Sequence, residues 1–196
     1  MIPRRLTIDP STVMPASDFS TRVVCREGFG IAVDRTMSWG GGIEGHSSIG
    51  VPGAARTWYL AEGSSAFGFE TWLLVQNPGV TAAKCDITYM VEGQGPVKVT
   101  KTVPASSRST FNMADDIGQK NASIEVSSDV PVIPERAMYR NNRREGQDSV
   151  GTTTPASDFY LAEGSTAWGF TTWVLVQNPN AAPSLIMIPG ISISIT

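Results

Sequence analysis

The sequence predicts an all-β protein made of tandem immunoglobulin-like antiparallel β-sandwich repeats, each about 100 residues long. Three observations support this fold class. The 196 residues include 19 glycines and 13 prolines but only 17% charged residues, a composition typical of many short strands and turns. Most apolar segments are short and alternate with polar residues. One long motif also occurs twice, which makes the chain a section of a repeating array.

The repeat is clearest in two segments that lie 101 residues apart. Residues 56–79 have the sequence RTWYLAEGSSAFGFETWLLVQNPG, and residues 157–180 have the sequence SDFYLAEGSTAWGFTTWVLVQNPN, with 16 of 24 positions identical. The match extends upstream at the same offset, where residues 34–50 correspond to residues 135–151. A period of this length suits a string of complete small domains better than the turn of a solenoid.

The repeat divides the chain into three parts. Residues 1–55 are expected to be the C-terminal part of a first repeat, residues 56–157 a complete β-sandwich repeat, and residues 158–196 the N-terminal part of a further, truncated repeat. The pattern fails after Asn180, because residues 181–196 are apolar, β-prone and nearly uncharged. Such a segment is prone to aggregate if it is exposed. It is either a truncated or altered end or a strand that pairs elsewhere.

Within the complete repeat, eight extended segments are separated by turn residues. In one of them Ile87 and Tyr89 alternate with Asp86 and Thr88, the pattern of a strand with one solvated face. Pro134 lies inside another segment and predicts an edge strand or a β-bulge. One short helical turn is expected at residues 114–119. The predicted strands are residues 58–61, 71–76, 85–91, 97–103, 109–113, 123–127, 132–139 and 148–153.

The segment 71–76 differs from the others because both of its faces are apolar. Trp72 and Leu74 alternate there with Leu73 and Val75. A strand that is buried on both faces needs a layer beyond its own sandwich, and a neighbouring repeat would supply that layer. No Gly/Ser-rich or Pro/Thr-rich linker separates the repeats. We therefore expect repeats that pack tightly against each other.

The sequence gives no reason to assign catalytic residues, a metal site or a cofactor. The single histidine, His46, precedes Ser47, but adjacent residues on a strand point to opposite faces and do not form a Ser–His pair. In the complete repeat Gln147 replaces the histidine. The two cysteines, Cys25 and Cys85, match no zinc spacing and are interpreted as small core residues, with a single disulfide as the alternative.

Two charged residues recur in the repeat: Glu62 corresponds to Glu163, and Arg35 corresponds to Arg136. Repeated carboxylates of this kind could act as a general acid and base or bind calcium. We interpret all four residues as structural, forming ion pairs or hydrogen bonds in turns, because each repeat must fold in the same way.

Two sets of residues are candidates for ligand binding. Phe67 and Trp168 lie in equivalent glycine-rich loops and are the aromatic pair expected to be exposed, where they could stack on sugar rings. Arg140, Arg143 and Arg144 form a basic patch that is either a solvated hairpin loop or a contact for an anionic polymer. The other repeated aromatic residues are assigned to the core and to the contacts between repeats.

The motif Trp-Tyr-Leu-Ala-Glu-Gly-Ser at residues 58–64, followed by Gly-Phe-x-Thr-Trp-x-Leu-Val-Gln-Asn-Pro at 68–78, recurs at 160–165 and 169–179. Together with Glu-Arg-Ala-Met-Tyr at 135–139, it resembles an uncharacterised bacterial family of secreted or cell-surface proteins. That family is of actinobacterial type and has immunoglobulin-like tandem repeats. The resemblance covers most of the chain and implies an extracellular, non-catalytic repeat region.

We therefore expect a non-catalytic extracellular structural or adhesive module of a cell-surface or secreted bacterial protein. The alternative is a carbohydrate- or cell-wall-polymer-binding accessory module of a secreted enzyme. The expected partners are neighbouring repeats of the same chain, together with a cell-wall polymer or another surface protein. The incomplete repeats could also mediate self-association by strand complementation. A net charge of −3 argues against nucleic-acid binding, and no apolar run is long enough for membrane insertion.

Overall fold

The computed structural model describes residues 5–188 and 191–195, and most of its regular structure is antiparallel strand. The predicted all-β class is confirmed. Predictions that concern residues 1–4, 189–190 and 196 lie outside the described residues. The described elements are β1 (Asp34–Trp39), β2 (Glu44–Ile49), β3 (Ala55–Leu60), β4 (Glu70–Asn77), β5 (Ala83–Val91), β6 (Gly95–Val103), β7 (Ser107–Asn112), α1 (Met113–Ile117), β8 (Ala122–Arg140), β9 (Glu145–Val150), β10 (Ser184–Ile188) and β11 (Ile191–Ile195), with 3₁₀ turns at Pro10–Thr12 and Gly40–Gly42.

The 19-residue strand β8 organises residues 56–157, because its two halves belong to two antiparallel sheets that it joins into one continuous seven-stranded sheet. Its first half pairs with β5 on one edge and β3 on the other, and β6 extends this first sheet beyond β5. Its second half pairs with β4 and β9, and β7 extends this second sheet beyond β4. The sequence predicted two separate strands here, at 123–127 and 132–139. The structure instead has one strand that passes from one sheet into the other.

The passage between sheets takes place between Ser128 and Val132. The pairing with β5 ends at Ser128, and the pairing with β4 begins just after Val132. On the other edge, the register against β3 shifts between Ala55 and Thr57. Pro134 follows this irregularity, and β9 pairs with β8 only from the next residue onward. Pro134 predicts either an edge strand or a β-bulge. The register shift just before Pro134 agrees with the bulge, whereas the edge strand is wrong because β8 is a central strand.

The two sheets enclose one hydrophobic core. Leu73 and Val75 of the second sheet belong to the same buried cluster as Ile87 and Ile124 of the first, and all four are fully buried. Trp58 of β3 also joins the cluster, and its indole N–H donates to a backbone carbonyl of β8 at 2.8 Å. The alternation that predicted strands with one solvated face therefore corresponds to the inner and outer faces of a sandwich-like fold.

The outer face of β4 is half-buried rather than fully buried. Thr71, Leu73 and Val75 point into the core and are buried, whereas Trp72 and Leu74 on the other face are only partly covered. The sequence predicted burial on both faces. The β1–β2 hairpin makes its main contacts with β9, and this face of β4 remains partly exposed.

The two cysteines have different environments and are not bonded to each other. Cys85 lies in the core and is fully buried, and burial followed by the charges of Asp129 and Asp86 raises the pKa of its thiol to about 11. Cys25 is partly exposed, and its thiol donates to Glu27 at 3.4 Å. The prediction of a small core residue is therefore correct for Cys85 and wrong for Cys25, whose segment lies outside the sandwich.

The two incomplete repeats differ in structure. The first contributes the β1–β2 hairpin, which packs beside β9. In the last, residues 158–183 are all described and contain no helix or strand, and β10 and β11 form a separate hairpin after them. The hydrogen bonds recorded for residues 158–183 lie within that segment or join it to Ser157 just before it.

Candidate functional site

Buried charge is concentrated where the β1–β2 hairpin packs against the outer face of β8 and β9. The hairpin contributes Arg35, Trp39 and His46. These side chains share one face because Arg35 and Trp39 each lie two residues from Met37, which is directly opposite His46 in the register. The complete repeat contributes Glu135 and Asp148, which lie on the same face of its second sheet. The site therefore forms between the β1–β2 hairpin and the sheet of residues 56–157, and we name these five side chains the hairpin cluster.

Arg35 bridges two carboxylates of the complete repeat. Its Nη2 atom donates to Oε1 of Glu135 at 2.7 Å and to Oδ2 of Asp148 at 2.5 Å. The Asp148 side chain is only 4% exposed, whereas 39% of the Arg35 side chain remains in contact with solvent. One cation thus connects the hairpin to both β8 and β9, although solvent partly screens the ion pairs.

His46 connects the ion pairs to a group of aromatic rings. Its Nε2 atom lies 3.1 Å from the Tyr139 hydroxyl, and its Nδ1 atom lies 3.3 Å from Oδ2 of Asp148. The Trp39 ring meets His46 and Tyr139 edge-on, with ring centroids 5.5 Å and 5.6 Å away. The Trp39 indole N–H donates to the backbone carbonyl of Arg143 at 2.6 Å. Polar and aromatic contacts therefore hold the same face of the hairpin.

Gly146 allows the hairpin to approach β9 closely. A Cβ atom at this position would lie 2.7 Å from Cη2 of Trp39 and 3.2 Å from Cδ1 of Tyr139, both too short for ordinary contact. A glycine is therefore required by the space rather than by backbone torsion. Beside this contact lies a pocket of about 200 Å³. Its lining residues are Phe69, Met138, Tyr139, Arg140, Glu145, Gly146 and Gln147.

The hairpin cluster shifts the ionisation of its members. Burial, followed by the charge of Glu135, raises the pKa of Asp148 to about 7. Burial acts in the same direction on Glu135, but the nearby Ser48 hydroxyl and the charge and hydrogen bond of Arg35 together outweigh it and hold the pKa of Glu135 below its ordinary value. Burial, followed by the charge of Arg35, lowers the pKa of His46. Near neutral pH, Asp148 is therefore partly protonated while Glu135 is ionised and His46 is neutral.

In the complete repeat, the counterpart of Arg35 makes a different ion pair. Arg136 is buried, and its Nη1 atom donates to Oε2 of Glu62 at 2.7 Å within the same repeat. A purely structural role for these two residues stays a prediction. Glu163, the counterpart of Glu62, is exposed. Arg35 thus pairs with carboxylates of the following repeat, whereas Arg136 pairs with a carboxylate of its own.

The basic loop between β8 and β9 is a solvated hairpin turn. Arg143 pairs with Glu70 at 2.9 Å, and the guanidinium of Arg140 lies 4.9 Å from the centroid of the Phe69 ring. Arg144 is exposed. Arg140 is the last residue of β8, Arg143 and Arg144 lie in the turn that follows, and Arg140 and Arg143 contact β4 or the loop before it. Polymer binding by this loop stays a prediction.

Phe67 and Trp168 lie at the tips of equivalent exposed loops. Their side chains are 77% and 91% exposed. Both residues have positive φ angles, of 54° and 53°, and each is followed by a glycine with positive φ. The two loops therefore have the same backbone conformation in both copies of the motif. Sugar stacking on these rings stays a prediction.

The last repeat keeps the local hydrogen bonds of its motif without the surrounding sheet. The backbone N–H of Ser165 donates to Oγ1 of Thr172 at 2.8 Å, as that of Ser64 does to Thr71 at 2.9 Å. An asparagine amide also donates to a carbonyl four residues later in both copies, at 2.8 Å. The side chains between these two turns are nevertheless exposed to solvent, and Trp173 is 79% exposed.

Sequence reasoning identified Arg35 but not its partners in the hairpin cluster. The contacts join residues that are 100 and 113 positions apart, which no local pattern predicts. The placement of two acidic residues in the second sheet is the signal that points to this contact. Glu135 and Asp148 both occupy outward-facing positions of the second sheet, and two carboxylates on one outer face suggest a cation from another element.

Across residues 5–188 and 191–195, no three histidine, cysteine, aspartate or glutamate side chains are grouped as a metal ion would require. Asp116, one of the acidic residues of α1, instead accepts a hydrogen bond from the Tyr89 hydroxyl at 2.8 Å. The described helices are all too short to cross a bilayer.

Comparisons with known proteins give no family. No family model matches the chain, and no curated protein matches it significantly. Among solved structures, the chain is similar to the crystal structure of Thermotoga maritima 1070, with 24% identity and a TM-score of 0.47 over 52% of this chain and 96% of that one. It is also similar to the Anabaena sensory rhodopsin transducer, with 23% identity and a TM-score of 0.38 over 44% of this chain and 99% of that one. Neither similarity is strong enough to support an argument about function.

Proposed function

We propose that the chain is a section of an extracellular, non-catalytic array of immunoglobulin-like repeats with a structural or adhesive role on a bacterial surface. The observation that carries this proposal is the contact between repeats. The β1–β2 hairpin of the first repeat packs directly on the complete repeat, where Arg35 meets Glu135 and Asp148. Direct packing of this kind makes consecutive repeats a stiff rod, in contrast to domains joined by a flexible linker.

The nature of the hairpin cluster supports a structural role over a catalytic one. His46 is 8% exposed, and the Asp148 side chain is 4% exposed. His46 lies on the inner face of the hairpin, and Asp148 lies beneath it. A substrate would therefore reach them only after the hairpin had left the sheet. The cluster joins opposite charges with aromatic packing, which is the composition of an interface between domains.

The resemblance of the repeated motif supports the proposed location. The motif occurs at residues 58–64 with 68–78 and again at 160–165 with 169–179, and the family it resembles consists of secreted or cell-surface proteins. An array of stiff repeats in that setting would span distance from the cell and present its loops to other surfaces. Neighbouring repeats are then the first partners, and a wall polymer or a surface protein is the second.

Limited proteolysis tests the packing of the repeats. We expect a non-specific protease to cut the exposed segment 158–183 first, while the junction at residues 50–54 stays intact because the hairpin is held on the sheet. The Arg35→Ala variant should be cut at the junction several times faster. Rapid cleavage of the wild-type chain at residues 50–54, with release of a folded unit beginning near residue 55, would overturn the proposal.

A second function is favoured by a separate observation, the exposure of Phe67 and Trp168 on equivalent loops. Two protruding aromatic rings per pair of repeats would suit a carbohydrate- or cell-wall-polymer-binding module of a secreted enzyme. Retention on peptidoglycan, chitin or cellulose that is lost in the Phe67→Ala and Trp168→Ala variants would support this alternative. Val80→Ala is the matched control, because Val80 is an apolar residue that is 88% exposed on another loop.

A further inference from the structure

The strand β1 has an open edge at the position where its counterpart is paired. In the complete repeat, the second half of β8 pairs with β4 on one edge and with β9 on the other. Among the described strands, β1 pairs only with β2, the counterpart of β9. The edge that corresponds to the β4 side therefore presents unpaired backbone N–H and C=O groups. Such an edge is a template for an added strand.

The chain also contains a strand sequence that fits this edge. Residues 171–178 are the counterpart of β4 and match it at six of eight positions. In this segment Trp173 is 79% exposed, and Val174 and Leu175 are 47% and 44% exposed. Four consecutive apolar residues that are this exposed are costly to leave in water. The local turn before them is already formed, which lowers the entropy that is lost when the strand docks.

We propose that residues 171–178 of one copy of the chain add as a strand to the open edge of β1 in a second copy. This proposal rests on the repeat organisation that the proposed function assumes. The register is set by the complete repeat, where Leu73 lies opposite Arg136. At an offset of 101 residues, that pair becomes Val174 opposite Arg35. The added strand would be antiparallel to β1, as β4 is to β8.

The faces of the added strand agree with this placement. In the complete repeat, Leu73 and Val75 share the face of Arg136. Val174 and Val176 would therefore share the face of Arg35, which is directed toward the outer face of the complete repeat. The hairpin does not have to leave the sheet to accept the strand. A third strand would also stabilise the hairpin, because an isolated two-stranded hairpin is marginal in water.

A second copy is the partner because a single chain does not make this pairing. The structure contains β1 and residues 171–178 together, yet among the described residues the segment 158–183 forms hydrogen bonds only within itself or to Ser157. Each chain thus has one open edge and one unpartnered strand. Reciprocal exchange between two copies would satisfy both in a closed two-fold dimer, and a one-way exchange would produce a longer assembly.

Cross-linking between two proteins that each carry one accessible cysteine tests the inference. In a Cys25→Ser background, one protein carries Ser38→Cys and the other carries Thr171→Cys, which are counterparts of the directly paired Tyr139 and Glu70. Cys85 is fully buried and stays unreactive. The two proteins are mixed and treated with a short bifunctional maleimide. The control mixture replaces the Thr171→Cys protein with an Asn180→Cys protein, because residue 180 lies roughly 30 Å from residue 171 along an extended strand.

We expect a cross-linked heterodimer in the first mixture, formed at least fivefold more than in the control mixture. Light scattering of the wild-type chain should show a mass that increases with concentration, and Val174→Pro should abolish that increase without changing the thermal unfolding of the complete repeat. Equal cross-linking in both mixtures, or a strict monomer at all concentrations, would overturn the inference. An intramolecular cross-link in a chain that carries both cysteines would assign the strand to its own copy and would also overturn it.

The outcome is independent of the test of the proposed function. If the junction at residues 50–54 resists proteolysis while no heterodimer is cross-linked, this inference fails and the packing of repeats stands. If the junction is cut rapidly while the heterodimer forms, the strand exchange stands and the stiff array fails.

Discussion

The Nη2 atom of Arg35 lies 2.7 Å from Oε1 of Glu135, although the two residues are 100 positions apart in the sequence. Glu135 directly precedes Arg136, the residue that corresponds to Arg35 in the complete repeat. An arginine of one repeat therefore contacts the acidic neighbour of its own counterpart. The same motif supplies an internal ion pair in one repeat and a contact between repeats in the other.

Replacing Arg35 with alanine should weaken the attachment of the hairpin. The change leaves the carboxyl groups of Glu135 and Asp148 close together without a cation. We expect the free energy of unfolding to fall by about 1–3 kcal/mol, which is the range for a buried polar group that loses its hydrogen-bond partner. The value is below that for a fully buried pair, because the Arg35 side chain is 39% exposed.

Urea unfolding followed by circular dichroism measures this change. The matched control is Arg22→Ala, since Arg22 is an exposed arginine of the same N-terminal segment, and its effect should stay within about 0.5 kcal/mol. Equal stability of the Arg35→Ala and Arg22→Ala proteins would show that the ion pairs do not hold the hairpin.

Asp148 should make the stability depend on pH. Because burial raises its pKa to about 7 in the folded state, the folded protein retains a proton that the unfolded chain releases near its ordinary pKa. The contribution of Asp148 to stability is therefore greatest at acidic pH and is lost as the pH rises through 7. His46 acts in the opposite direction, because its pKa is lowered and protonation in acid disfavours the folded state.

The Asp148→Asn variant separates the two effects. Asparagine keeps the shape of the side chain and removes its ionisation. Relative to this variant, the wild-type protein should lose stability as the pH is raised from roughly 4 to roughly 7, and the difference should then stay constant above that pH. Thermal unfolding across this range provides the measurement. A constant difference between the two proteins would mean that Asp148 ionises normally in the folded state.

Gly146→Ala should disturb the contact by steric means alone. The added methyl group would lie 2.7 Å from the Trp39 ring, so the ring or the hairpin must move. We expect a loss of about 1–3 kcal/mol, the usual cost of overpacking. Gly53→Ala is the control, since nothing lies within 4 Å of a Cβ at that position. The comparison fails to support the contact if both variants unfold at the same urea concentration.

Glu62→Gln should destabilise the complete repeat itself. The change removes the carboxylate that pairs with Arg136 and leaves a buried guanidinium without its counter-ion. We expect a loss of roughly 2–3 kcal/mol, reduced from the cost of a fully buried pair because Glu62 is partly exposed. Glu163→Gln is an internal control from the equivalent position of the last repeat, where the side chain is exposed. Similar losses in both variants would refute the assignment.

Sequence patterns predicted those strands whose partners do not change along their length. The alternation at residues 85–91 and 97–103 matches β5 and β6 to within two residues. The pattern failed at β8, where Ser128 to Pro131 has the composition of a turn. The strand continues there because β5 leaves one edge just as β4 joins it further along. Tertiary pairing of this kind overrides local preference.

The candidate site was predictable only where the repeat marked it. Glu62, Arg35 and Arg136 were identified because they recur, and Glu62 and Arg136 indeed pair. Asp148 and His46 do not recur, since their counterparts are Ser47 and Gln147. Asp148 meets Arg35 and His46 across the contact, and which residues meet there depends on how the hairpin packs on the sheet.

Hydrogen exchange of the β1–β2 hairpin in the wild-type chain tests the packing of the repeats most directly. An isolated two-stranded hairpin is marginal and exchanges quickly, so protection requires that the hairpin is held by the complete repeat. We expect the β1 and β2 amides to exchange at least tenfold more slowly than those of residues 158–183. Exchange at the same rate in both segments would contradict direct packing between the repeats.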